Sequence, residues 1–170
     1  RATPGYTYAP VITVDKVIQK RPLYKLIFLS RHSEGLKVFR DSEEKALYAQ
    51  ARTRAASKAK KREENSVISD LFADGEDAVP NDRSSQVIKR SREQASLRLN
   101  ERLIASGSTG MVWGALWPLI LEDFSVTRSW LGRYVNDFRK SGQILAPGWP
   151  NERKQIPDDD QRMIWAGSSS

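Results

Sequence analysis

The chain has 170 residues, 39% of them apolar, with five tryptophans and a net charge of +7. That is enough for one well-packed domain or two small ones, and too much apolar material for a wholly disordered chain. It has no cysteine and one histidine, His32, which excludes disulfides, thiolate catalysis, cysteine-based zinc sites and histidine-cluster metal sites. A pI near 9.8 favours a polyanionic partner, nucleic acid first, although an acidic protein or a membrane surface would meet the same field.

No apolar run approaches the ~18 residues of a membrane span. The opening RATPGYTYAP lacks a signal peptide's hydrophobic segment. The expectation is therefore a cytoplasmic protein without a membrane partner. The chain opens without methionine, consistent with an excised fragment or a processed product.

Residues 11–18 and 23–29 are rich in β-branched and aromatic side chains and read as strands. Lys20, Arg21 and Pro22 between them suit a hairpin, which needs a further strand or a helix to cover it. A helix is expected from about 41 to 61, capped by Ser42, with Lys45 where an acidic residue would be ideal. Its later half becomes Arg52, Arg54, Lys58, Lys60, Lys61 and Arg62, followed at once by Glu63 and Glu64. That half is read as a solvated helix end, with phosphate contact as the alternative.

Residues 66–84 carry Asp-Gly, a proline and clustered carboxylates and read as a linker. They divide a first region, 1–65, from a second, 85–166. In the second, Val87, Ile88, Ala95, Leu99, Leu103 and Ile104 can line one side of a helix that ends at GSTG, residues 107–110. Trp113, Leu116, Trp117, Ile120 and Leu121 mark another helix, and Pro118 moves its expected start to about Trp117.

The segment SVTRSWLGRYVNDFRKSGQI then predicts a helix over about 127–141, with Thr127 or Ser125 as N-cap and Gly142 as its stop. Trp130, Leu131, Tyr134, Val135 and Phe138 share one arc. Arg128, Ser129, Gly132, Arg133, Asn136, Arg139 and Lys140 occupy the other, with Asp137 at its edge. Arginine and asparagine can read guanine and adenine edges, and small residues allow close approach to a groove. Arg133, Asn136 and Arg139 are the expected base-facing residues, with Ser129 beside them. Arg128, Lys140, Arg153 and Lys154 are expected on phosphates.

The final stretch SGQILAPGWPNERKQIPDDDQRMIW suggests a hairpin wing with Trp149, Arg153 and Lys154 near its tip. Trp149 either covers that hairpin or inserts at a backbone. Asp158, Asp159 and Asp160 read as an acidic solvated turn, since consecutive carboxylates lack calcium-loop spacing. Helix, turn, basic helix and hairpin define the expected fold: α+β, with a winged helix-turn-helix C-terminal domain preceded by a β-hairpin and basic helices. The expected activity is binding of double-stranded DNA. No cofactor is expected, because neither a dinucleotide loop nor a phosphate loop is present. His32 beside Ser30 or Ser33 forms no recognisable catalytic constellation.

Two segments, RPLYKLIFLSRHSEGLKVFRD and LWPLILEDFSVTRSWLGRYVNDFRKSGQI, resemble the three-Cys-motif partner proteins (TcmP), over about half the chain. The resemblance implies an upstream Rossmann-like methyltransferase domain, with the hairpin as the last antiparallel pair of its sheet. A radical-type three-cysteine protein is the implied partner. The glycine motif and early strands of a methyltransferase are absent from these residues, so no catalytic or cofactor residue carries over. The alternative function is a protein-interaction or dimerisation tail of such an enzyme, as a homodimer if the hairpin covers itself.

Overall fold

The computed structural model describes residues 5–15, 22–69, 83–149 and 156–167. The hairpin expected near the N-terminus pairs β1 (Val11–Asp15) with β2 (Pro22–Ile27) antiparallel, Thr13 opposite Lys25, with an irregularity at Val14/Asp15. Proline is tolerated as the first residue of β2 because that position donates no ladder hydrogen bond. An isolated Tyr8–Ser30 bridge continues the pairing. Phe28 stacks on Phe39, ring centroids 4.7 Å apart, and ties the hairpin to the first helix.

That helix, α1 (Ser33–Ser69), begins eight residues before the expected 41 and runs into the expected linker. Its early start follows from Leu36 and Arg40, one turn apart and both buried, so the first turns are anchored in the core rather than by a cap. Residues 70–82, the remainder of the linker, lie outside the described residues.

The second helix, α2 (Arg83–Ser106), buries Ile88, Ala95, Leu99 and Leu103, while Val87 and Ile104 of the expected stripe stay exposed. A 3-10 turn, Gly107–Thr109, leads into β3 (Met111–Val112) and α3 (Trp113–Asp123). Helix α3 starts at Trp113, not near Trp117, and holds Pro118 inside it. Its first amides have tertiary partners: Trp113 N–H donates to Gln161 O at 2.8 Å and Gly114 N–H to Asp159 O at 2.7 Å. The added turn buries Trp113 and Leu116, which offsets the one intrahelical bond that Pro118 removes.

After residues 124–127 come α4 (Arg128–Lys140), β4 (Ile144–Leu145) and β5 (Arg162–Trp165). The small antiparallel sheet runs β3-β5-β4, with Met111 opposite Met163 and Ile144 opposite Trp165. One core cluster joins Leu36 of α1 to Leu99, Trp113, Trp117, Leu131, Val135 and Met163. The architecture is thus α+β: an N-terminal hairpin, four helices and a small three-stranded sheet. Among the described residues no helix is long and apolar enough to cross a membrane.

Candidate nucleic-acid interface

Helix α4 keeps its expected boundaries. Thr127 is the N-cap, its Oγ1 accepting from Trp130 N–H at 3.2 Å, and Gly142 follows with φ +77°. Because Thr127 is buried, Thr127→Ala leaves that amide unpaired. The expected loss is ~1–2 kcal/mol of stability, read as a lower urea midpoint with no change in the slope of the transition. A midpoint equal to wild type would show that the cap contributes nothing.

The face of α4 that enters the core differs from the sequence reading. Leu131, Gly132, Val135 and Asn136 form the buried strip. Trp130, Tyr134 and Phe138 are half-buried at its side, in an aromatic ladder that ends on Trp165. Asn100 Nδ2 donates to the Tyr134 hydroxyl at 3.1 Å, and the Arg92 guanidinium lies over the Trp130 ring. These rings are packed against α2 and β5.

Glycine at 132 has its explanation here. A Cβ there would meet Ile156 side-chain carbons at 3.0–3.1 Å and its Cα at 3.2 Å. The close approach is thus to the segment before β5 rather than to an external groove. Asn136 is 5% exposed, and its carboxamide oxygen accepts from Arg139 Nε at 3.3 Å and Nη2 at 3.0 Å. It does not present an amide to solvent, which corrects its expected base-facing role.

Two of the arginines are also engaged within the protein. Arg128 Nη2 pairs with Asp159 at 2.6 Å, its guanidinium lies 5.1 Å over Trp117, and its side chain is 18% exposed. The Arg139 guanidinium lies 4.7 Å over Trp149, which is buried and so covers the end of the small sheet. Asp159 also accepts from Trp117 Nε1 at 3.0 Å. One carboxylate of the expected solvated acidic turn therefore fastens that turn to α3 and α4. Sequence reading missed this role; the hint was a core tryptophan whose indole N–H needs an acceptor.

Ser129, Arg133, Asp137 and Lys140 remain on the outer arc, all exposed. Neither Arg133 nor Lys140 enters an ion pair among the described residues. Arg153 and Lys154, the expected wing cations, lie outside the described residues. His32 is exposed, and the Ser30 hydroxyl bonds its main chain at 2.8 Å rather than its ring. No protein-family model, curated protein or solved structure matches the chain.

Proposed function

We propose that residues 85–166 form a winged helix-turn-helix that binds double-stranded DNA. In this reading α4 is the helix presented to the major groove, and β4, β5 and the residues between them are the wing. The order of elements supports it: helix, strand, helix, short turn, helix and a final strand pair, with the strand before α3 hydrogen-bonded to the last strand. The observation that carries it is the outer arc of α4, where Arg133 and Lys140 stand exposed without internal partners beside Ser129. The contact set is thereby narrower than the sequence expectation. Arg133 reads or anchors at a base edge, Lys140 and Ser129 meet phosphates, and Arg128, Asn136 and Arg139 hold the helix in place.

The test is fluorescence anisotropy on duplex DNA across a salt series. Arg133→Ala combined with Lys140→Ala is expected to weaken binding ~10- to 100-fold and to lower the salt slope by about 2, with unchanged unfolding. A double variant that binds like wild type at every salt concentration would sink the proposal.

A second reading, the interaction or dimerisation tail of a methyltransferase-like enzyme, rests on the hairpin. Leu23 and Ile27 are 60% and 59% exposed, while Tyr24 and Leu26 are 53% and 44% exposed. An isolated two-stranded hairpin with apolar residues exposed on both faces is marginal by itself. A stable dimer in sedimentation, with no duplex binding at low salt, favours this reading. A three-cysteine-motif radical protein is the partner that the family resemblance supplies for it.

A further inference from the structure

Beyond Arg52, α1 leaves the body of the protein. Every described side chain from Arg52 to Ala59 is exposed, on all sides of a helix that continues to Ser69. A helix lying on the core would bury one face. Residues 52–62 carry Arg52, Arg54, Lys58, Lys60, Lys61 and Arg62 and no carboxylate. They occupy about 15 Å of helix. Arg54, Lys58 and Arg62 follow at four-residue spacing, where like charges weaken a helix. Such a segment is stabilised by a polyanion.

We propose that residues 52–62 are a basic helical arm that neutralises phosphates of duplex DNA beside the stretch bound by α4. The inference rests on the reading of this protein as a duplex binder. Charge complementarity selects the partner, and composition excludes the competitors. Alanine is the only apolar residue type between Arg52 and Arg62, so the arm has no face to insert into a membrane interface and no anchor for a protein interface. At 100° per residue the six cations are distributed around the helix rather than along one side. A flat anionic surface would use one side only, whereas a major groove has phosphates on both walls and admits a helix. Position agrees with this partner: Tyr48, one turn before Arg52, lines the same cleft as Trp130 in the first turn of α4. The arm therefore departs from the N-terminal end of α4.

The experiment uses the full chain carrying Arg54→Gln, Lys58→Gln, Lys61→Gln and Arg62→Gln, since glutamine is a comparable helix former. Binding to unrelated duplexes is measured over a salt series, with flotation on phosphatidylcholine–phosphatidylserine vesicles in parallel. The expected result is a loss of at least ~10-fold at low salt, equal for all duplexes, and a salt slope smaller by about 3. Ala55→Glu with Ala59→Glu, at two exposed positions, is expected to lower affinity in the same sequence-independent way. Unchanged slope and affinity in both variants overturn the arm; loss of binding in the Arg133→Ala/Lys140→Ala variant then leaves the α4 reading standing. The reverse pattern retains the arm and removes α4. A wild-type chain that binds vesicles and not duplexes overturns both.

Discussion

Arg40→Met is expected to lower the unfolding free energy by ~3–5 kcal/mol, the range for removing one member of a buried ion pair. For a chain of this size that is a fall of roughly 6–20 °C in Tm. Arg40 is 2% exposed, yet every donor direction of its guanidinium is used. Nε donates to Leu121 O at 2.6 Å and Nη2 to Glu122 O at 2.8 Å, while Nη1 donates to Glu43 at 2.7 Å. The two carbonyls belong to the last turn of α3, where backbone acceptors lack intrahelical donors and a cation is favourable. Ser125 Oγ donates to the other oxygen of Glu43 at 2.7 Å. The network thus pins the turn between α3 and α4 against α1. Methionine would leave Glu43 charged and buried and both carbonyls unpaired. Arg40→Met with Glu43→Leu removes the orphaned charge and is expected to recover part of the loss. Urea unfolding of the three proteins decides it; a cost below about 1 kcal/mol for the single variant would show that the network does not hold the turn.

Gly110→Ala is the second large effect, ~3 kcal/mol or more. Gly110 adopts φ +65° and ψ −177°, a region essentially reserved for glycine, where a side chain costs ~1–3 kcal/mol by conformation alone. A Cβ there would also overlap the Met163 carbonyl oxygen and sit 2.7 Å from Ile164 Cγ1. Relief requires moving β3 from β5, and their ladder is only the pairs Met111–Met163 and Val112–Arg162. Since β5 is the central strand of the small sheet, its displacement also loosens β4. Gly142→Ala provides the contrast: φ is +77°, but a Cβ meets nothing within 4 Å, so only about 1–2 kcal/mol is expected. Equal unfolding midpoints for the two variants would remove the role assigned to the β3–β5 contact.

The α4 segment shows how far sequence reading reaches. Its limits were legible because caps are local: Thr127 and Gly142 act within a turn of themselves. Its orientation was only half legible. Periodicity placed Leu131 and Val135 inward, but Gly132 and Asn136 were assigned to the wet face because they are small or polar. They are buried because Ile156 and Arg139 cover them, and residue 156 lies far along the chain. Helix α1 was legible as a helix from its alanine, lysine and glutamate content. Its true start was not, because the anchor at Arg40 is supplied by carbonyls 81 and 82 residues away. Likewise Pro118 argued for a later start to α3, and the Gln161 and Asp159 carbonyls reversed that outcome.

By itself the sequence determined the α+β class, the hairpin, the caps and basic character of α4, and the charge that points to a polyanion. These depend on neighbouring residues and on composition. Only the tertiary structure decided which cations remain available. Asp159, Asn136 and Trp149 engage Arg128 and Arg139, whereas Arg133 and Lys140 stand outside. A side chain's electrostatic partners are chosen by what packs against it, and periodicity along one helix carries no information about that.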